Sequence, residues 1–560
     1  MPNSRFQPAS PRRPALALAV ICLSVFVISV DATIVNVALP TLSRDLNAGT
    51  TQLQWIVDAY TLVIAGLLMS AGSLSDRYGR RGWLSIGLIV FAAMSAVAAL
   101  VDSSNTLTIA RAGMGVGAAL IFPTTLALIT NIFTDPTRRG AAIGAWAAMT
   151  GVGVAVGPIT GGWLLEHFWW GSIFLVNVPI ATVALIGVWL FIPTSRDPAT
   201  PPVDLIGLIL SAIGITAVVY TVIEAPDWGW ATGRTILGFL FGAGVLVVFA
   251  VWERSRRHPM LDLSVFSNRR FSGGSLAVTA GFLALFGFIF VITQYFQFIK
   301  GYSAFEAGVR LLPVAASIAI ASILGPRLVH RIGTTAVVTG GLTIFAAGLA
   351  WSATVQTATF YSQIAMQMVL LGSGLGLTTA PATEAIMGSL SADKAGIGSA
   401  VNDTTRELGG TLGVAIIGSV FASVYTHKLA ANPTLSELPP AMRATLGRSI
   451  AAAHQAVDPL STQQALDVRN IVDQAFLDGL RVGSLVCAAI ALTAALVVGF
   501  LLPARAAAQP TTPLQTVPGG QTRSHVPGSI GSRSDSTTTQ AGHGDAVLAE
   551  SWAISKPTIR

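Results

Sequence analysis

Asp31, Asp58 and Arg111 stand inside long apolar runs, where a charge is costly. A charged side chain at the centre of a bilayer costs about 2.5–3.5 kcal/mol by insertion scales, so each needs a partner or a role. The chemistry open to a carboxyl group in such a place is to bind and release a proton. An arginine within reach can switch it as their distance or hydration changes. Asp31 is the leading candidate for this proton-coupling step. Asp58 is either a second such carboxylate or the partner that neutralises Arg111. The alternative to both is a static charge cluster that fixes helix packing. A second set, Glu384, Arg406 and Glu407, falls near the opposite membrane face. It reads as a candidate inner gate in which Arg406 pairs with Glu384, with static pairing favoured over ligand binding. Glu306 opens a helix and receives no role.

Other chemistries find no residues. There is no Walker A glycine loop, hydrolase triad or metal-spaced histidine cluster, so neither an enzyme nor a cofactor is expected. Cys22 and Cys487 both fall in apolar runs, which argues against a disulfide or metal site.

The elements that must hold these charges are membrane helices. The chain is 52% hydrophobic and only 11% charged, too few charges for a soluble surface. Apolar runs of about 20 residues are long enough to span a bilayer. They predict helices near 15–38, 53–72, 83–101, 106–130, 140–164, 171–192, 204–223, 235–252, 273–296, 305–324, 334–352, 360–388, 398–424 and 477–502. The first run follows Arg5, Arg12 and Arg13 like a signal peptide. It is too long for one, contains Asp31 and lacks a cleavage pattern, so it reads as a retained helix.

The net charge of +7 sits in loops and tails. It sets topology and gives no reason to expect nucleic acid. Arg77, Arg80, Arg81, Arg138, Arg139, Arg196, Arg254, Arg256, Arg257, Arg269, Arg270, Arg327, Arg331 and Lys394 share one side if the N-terminus is cytoplasmic. The other side holds Arg44, Arg234 and Lys300. Both termini are then expected in the cytoplasm. The expected organisation is a cytoplasmic tail over 1–14, a six-helix bundle over 15–192, two inserted helices over 204–252 and a second bundle over 273–502. That second bundle carries an outer loop at 425–476, and the Thr-, Ser-, Gly- and Pro-rich stretch 503–560 reads as a disordered tail.

The two bundles are expected to be repeats. Leu74-Ser75-Asp76-Arg77-Tyr78-Gly79 and Leu328-Val329-His330-Arg331-Ile332-Gly333 share L-x-[DH]-R-x-G. Gly113, Gly115 and Gly117 match Gly372, Gly374 and Gly376. Both pairs are offset by eight helices, which leaves two helices inserted between the halves. The fold class is therefore an all-α polytopic membrane protein, two six-helix pseudo-repeats plus two helices, about 14 spans. Repeated halves are the usual build of secondary transporters.

Several stretches carry a family resemblance. Gly72-Ser73-Leu74-Ser75-Asp76-Arg77-Tyr78-Gly79-Arg80-Arg81 resembles the loop signature of the major facilitator superfamily. Gly153-x-x-x-Gly157-Pro158-x-x-Gly161-Gly162 resembles the antiporter motif of its drug exporters. Asp31-Ala32-Thr33-Ile34-Val35-Asn36-Val37-Ala38-Leu39-Pro40 is similar to the first-helix signature of the 14-helix drug:proton antiporters. Trp170-Gly171-Ser172-Ile173-Phe174-Leu175-Val176-Asn177-Val178-Pro179 resembles that family's W-R-W-I-F-x-x-N-x-P, with Gly171 and Ser172 replacing Arg and Trp. Arg111-x-x-Met114-Gly115-x-Gly117 is close to R-x-x-Q-G-x-G, with Met114 replacing Gln. Asn402-x-x-x-Arg406-x-x-Gly409-Gly410 resembles its helix 13 pattern.

The resemblance implies a proton antiporter that exports drug-like, amphipathic or cationic compounds across a bacterial cytoplasmic membrane. Gly72, Asp76, Arg77, Gly79 and Arg80 would form a conformational latch between the bundles. The cargo path should lie between the bundles, with Trp55, Tyr60, Phe290, Gln294, Tyr295, Gln297, Gln363 and Gln367 as lining candidates. For the aromatics, an interfacial belt or plain packing is an equal reading. The expected partners are a small-molecule substrate, protons and the lipid bilayer, with a monomer as the working unit. The alternatives are a dedicated exporter of one metabolite, lipid, peptide or amino acid, and a non-transporting sensor or scaffold.

Overall fold

The computed structural model describes residues 13–196, 204–256, 259, 261–390, 395–457 and 462–503. The tails over 1–14 and 503–560 fall almost wholly outside them, as do Arg257 and Lys394. Among the described residues there are helices and no strands, and fourteen helices are long and apolar enough to cross a membrane. They are α1 (Pro14–Asp45), α2 (Thr50–Tyr78), α3 (Arg80–Leu100), α4 (Ser104–Ile132), α5 (Pro136–His167), α6 (Ser172–Phe191), α7 (Leu205–Trp228), α8 (Gly233–Ser255), α9 (Arg269–Ile299), α10 (Ala304–Ile332), α11 (Thr334–Ser352), α12 (Tyr361–Met387), α13 (Ala395–Ala430) and α14 (Thr462–Leu501). The face carrying Arg77–Arg81 is called the basic end here, and the face carrying the α1–α2 corner the far end.

Local chemistry sets many boundaries. Pro14 and Pro136 occupy first turns, where a missing N–H costs nothing. The Ser103, Asp135, Asp204 and Asn268 side chains accept from free backbone N–H groups at the starts of α4, α5, α7 and α9. Ser303 and Glu306 form a reciprocal capping box at the start of α10, which gives Glu306 a structural role. α6 breaks at Val176 before Pro179, α10 breaks at Leu311 before Pro313, and α9 ends in a π turn over Tyr295–Ile299.

The last helix and the loop before it differ from expectation. α14 starts fifteen residues earlier than the predicted 477, at Thr462. Val468, Val472, Ala475 and Phe476 form a buried stripe at helical spacing, so tertiary packing sustains a helix that hydropathy alone misses. α13 runs on to Ala430, so the predicted 425–476 loop shrinks. What remains contains three short helices, Pro433–Ser436, Pro440–Arg448 and Ile450–Val457. This cap is pinned by Ser43 Oγ to Ser449 Oγ at 3.1 Å, by Tyr425 donating to the Leu446 carbonyl at 2.9 Å, and by His454 with Asp473 at 2.8 Å.

The halves repeat in detail. Gly117 packs on Gly87 and Phe91 of α3, while Gly374 packs on Gly341 and Phe345 of α11. Gly115 faces Tyr60 and Val63 of α2, and Gly372 faces Val314, Ser317 and Ile318 of α10. Gly115 therefore corresponds to Gly372, and Gly117 to Gly374. The sequence pairing of the glycine triplets is two residues out of register, because G-x-G-x-G matches itself after a shift of two. Gly79 and Gly333 close the equivalent one-residue turns at φ of +123° and +86°, backbone that a side chain would strain.

α7 lies against the seam between the halves, and α8 packs on α7. Ser419 Oγ of α13 donates to the Val222 carbonyl at 2.7 Å, and Trp55 Nε1 of α2 donates to Glu224 at 3.3 Å. The hydrogen bonds that cross directly from α1–α6 to the second half occupy the far end and reach mid-depth. Thr50 donates to the Arg448 carbonyl, Gln297 to the Val37 carbonyl, Gln54 to the Val414 and Ala415 carbonyls, and Thr411 to Thr61. Thr61 is eleven residues into α2, roughly 16 Å from its far end. On α2 these crossings come from Thr50, Gln54 and Thr61, all in the half of the helix nearer the far end.

Candidate functional site

Asp31 is fully buried on α1, and both of its oxygens have partners. Arg111 Nη1 donates to Oδ2 at 2.5 Å, and Asn177 Nδ2 donates to Oδ1 at 2.8 Å. Arg111 is 1% exposed. It also donates Nε to the Ile56 carbonyl at 3.1 Å and lies over the Tyr60 ring, 4.2 Å from its centroid. Four helices therefore meet at one ion pair: α1, α2, α4 and α6. Charge-assisted bonds of this kind are strong, and burial makes loss of either partner expensive.

Asp58 does not join this pair. Ile56 and Tyr60 are four residues apart and share the face of α2 that meets Arg111. Asp58 lies between them in sequence, so it is turned roughly 200° away. It sits instead on the stripe with Gln54 and Thr61, both of which bond α13. Asp58 is fully buried, and neither carboxyl oxygen has a hydrogen-bond partner. This corrects the expectation that it neutralises Arg111.

The glycine motif of α5 joins Asp31's helix to the second half. Gly153, Gly157 and Gly161 are spaced by four residues and press on Ser29, Thr33 and Ile34 of α1. Pro158 has no N–H, so the Val154 carbonyl loses its helical donor. The Thr33 hydroxyl supplies a donor at 3.2 Å. Gly162 faces the other way, against the Ala304 and Phe305 backbone of α10, and Gly308 of α10 packs on the Pro158 carbonyl.

On α13, Asp403, Glu407 and Thr411 form one stripe at four-residue spacing. Thr411 bonds Thr61, so the two acids continue the seam toward the basic end. Arg406 lies over the Phe282 ring at 4.7 Å, and Glu384 is exposed. Among the described residues no ion pair joins Arg406 to Glu384, so the expected pair is absent in this conformation. Asn402 accepts from Thr383 at 3.0 Å and donates to Asp403 at 3.3 Å, tying α12 to α13.

The latch residues bond within the first half. Arg80 Nε donates to Asp76 at 2.7 Å, the Arg80 N–H donates to the Ser195 carbonyl, and Arg81 donates to the Trp189 carbonyl. Arg77 stacks near Tyr78, and Gly72 approaches Pro123 of α4. None of these bonds reaches the second half.

The path candidates scatter. Trp55 turns to α7, where it meets Glu224 and Tyr220. Tyr60 belongs to the Arg111 cluster. Phe290, Gln294 and Tyr295 are buried in the second half; Gln294 donates to the Phe290 carbonyl and Tyr295 to the Gln356 carbonyl. Gln367 is buried on the Trp351 carbonyl and Gln363 is half-buried. Of the eight, Gln297 alone bridges the two bundles. Asn177 and Asp403 are the functional candidates that sequence reasoning did not single out. Asn177 lies within the Trp170–Pro179 motif, and Asp403 is an acid beside Asn402 in an apolar helix.

The profile of the Major Facilitator Superfamily matches residues 21–414. The multidrug efflux pump LfrA of Mycolicibacterium smegmatis is 35% identical over 493 residues, covering 88% of this chain and 96% of that protein. The puromycin resistance protein pur8 of Streptomyces alboniger is 34% identical, covering 74% and 84%. The methyl viologen resistance protein SmvA of Salmonella typhimurium is 34% identical over 420 residues, with the same shares. Among solved structures, a bacterial homolog of the human lysosomal transporter Spinster, inward-facing and unoccupied, aligns with a TM-score of 0.62. It is 17% identical and covers 88% of this chain and 99% of that one. With a family match over most of the membrane part and relatives aligned along nearly their whole length, the chain belongs to the Major Facilitator Superfamily.

Proposed function

We propose that the protein is a proton-driven exporter of drug-like amphipathic or cationic compounds, working as a monomer in a bacterial cytoplasmic membrane with both termini in the cytoplasm. The observation that carries this reading is the buried Asp31, held by Arg111 and Asn177 on a helix whose neighbour α5 contacts the opposite half. Rocking the halves apart moves α5 against α10 and drags the α1 face that carries Thr33. That motion changes the access of water to Asp31. The names of the relatives, an efflux pump and two resistance proteins, support the direction and the cargo class. One proton is worth about 2.3 kcal/mol per 100 mV, which sustains a concentration ratio on the order of 50-fold.

The test is dye accumulation in inverted membrane vesicles, where the exporter pumps inward. Energised vesicles load the dye, and an uncoupler empties them. Loading that ignores the uncoupler would defeat proton coupling, and failure to move any cationic or amphipathic dye would favour a dedicated exporter.

Asp58 supplies a second measurement. Its carboxyl holds no bonds that a variant would lose, so Asp58→Asn should reach the membrane in wild-type amounts. If Asp58 takes part in coupling, uphill transport falls by about 5–150-fold, the range of a coupling free energy of 1–3 kcal/mol. Unchanged transport removes Asp58 from the coupling.

A further inference from the structure

We propose that the flank of the inserted pair α7–α8 is a binding site for an anionic phospholipid, with Arg234 holding the headgroup. A cavity of about 530 Å³ opens between the two helices, lined by residues of α7 and α8. Its walls are mostly apolar, with Ile213, Ala217 and Tyr220 from α7 and Gly238 and Phe241 from α8. The surface around it is bilayer-facing: α8 is the least buried of the fourteen spans, and Leu237, Leu240, Val247 and Val251 are all exposed.

The mouth of the groove is cationic. The Arg234 guanidinium lies over the Trp228 ring, 3.7 Å from its centroid, and Trp228 packs edge-on against Tyr220. A guanidinium held over an aromatic ring keeps N–H groups free to donate. Among the described residues no carboxylate pairs with Arg234. Glu224 and Asp227, the acids at this end of α7, receive hydrogen bonds from Trp55 and Thr51 of α2.

Depth matches one leaflet. Arg234 is in the first turn of α8 and Phe241 is seven residues deeper, roughly 10 Å by helical rise. Half of a bilayer's hydrocarbon thickness is about 15 Å. An acyl chain lying along Ala217 and Phe241 therefore places its phosphate at Arg234. Charge complementarity selects an anionic lipid over a cationic drug, which the same arginine repels.

The site is connected to the seam. Tyr220 also packs on Trp55 of α2 at 5.7 Å, and α7 accepts the Ser419 bond of α13. A lipid in the groove thus braces the helix that straddles the closed far end.

The test uses the full chain in nanodiscs of equal phosphatidylglycerol and phosphatidylcholine, released for native mass spectrometry. Wild type should retain phosphatidylglycerol over phosphatidylcholine by about fivefold, the worth of one arginine near a membrane surface. Arg234→Glu and Arg234→Gln should remove the preference, and Arg234→Lys should keep most of it. Thr216→Trp, which fills the groove, should lower retention of both lipids. Arg234 is exposed, so these variants are compared at matched elution volume. A preference that survives Arg234→Gln overturns the proposal. So does equal retention of the two lipids by wild type, or displacement of the retained lipid by a cationic dye.

Discussion

Asp31→Asn should abolish uphill export while leaving the protein folded in the membrane. Asparagine keeps the shape of the side chain, and its carbonyl still accepts from Arg111. Its new amide would face the Asn177 amide, but Asn177 Oδ1 has no partner in the wild type. A flip of that amide restores the second bond. What asparagine lacks is the proton. Asp31→Ala is a different experiment, because it strips acceptors from a buried guanidinium and should cost about 3–5 kcal/mol. Lower protein levels are then expected, and lost transport would say nothing about coupling. The double variant Asp31→Asn, Arg111→Gln separates the two readings of the cluster. It removes both charges and leaves neutral groups able to bond one another. A cluster that only fixes packing should transport normally in that variant. A coupling carboxyl should leave it stable and inert. Uncoupler-sensitive loading of inverted vesicles, normalised to protein in the membrane, reads the outcome.

The parts of this site that were legible were the charged ones. Asp31 and Arg111 stand out because a charge in an apolar run violates the composition around it, and no knowledge of the fold is needed to see that. Asn177 carries the second bond to Asp31, yet an uncharged amide two residues before a proline looks like part of a helix break. Trp55 shows the converse error. An aromatic side chain announces its type but not its direction, and Trp55 turns to Glu224 and Tyr220 of α7. Asp58 fails as Arg111's partner for a reason of helical phase. Ile56 and Tyr60 occupy the face toward α4, which leaves residue 58 on the face toward α13. Phase could have been read from sequence had the face toward α4 been known, and only packing supplies that. The fourteen spans were legible because an apolar run of about twenty residues matches the thickness of a bilayer and far exceeds a buried strand. The early start of α14 was not, since its first turns are amphipathic and draw their stability from the cap they pack against. Glycine spacing identified the helices that repeat but misplaced their register by two, because a period-two pattern aligns with itself.

Gly162→Ala should disfavour closure of the far end. A Cβ at this position meets the Phe305 Cα, the Ala304 carbonyl at 2.6 Å and the Phe305 nitrogen at 2.7 Å. All three are backbone atoms, so no rotamer change relieves the overlap, and α5 must part from α10. Overpacking of this kind costs about 1–3 kcal/mol. At about 2 kcal/mol the balance between the far-end-closed and far-end-open forms moves about 30-fold. Gly308→Ala attacks the same contact from the other side, through the Pro158 carbonyl, and should shift the balance in the same direction. Gly244→Ala is the control: it sits in α8 with nothing within 4 Å of its Cβ position, and should leave both conformation and transport unchanged. Spin labels at Glu166→Cys and Ala358→Cys, exposed sites at the far end of α5 and in the α11–α12 loop, report the separation. Both glycine variants should gain a longer-distance population and lose transport together. The reason lies in what the contact connects. Gly162 and Gly157 are on opposite faces of one helix, one against the second half and one against Thr33 of the helix that holds Asp31. If the distances lengthen while export continues at the wild-type rate, the α5–α10 contact is mere packing, and the mechanical link from the seam to Asp31 has to be sought elsewhere.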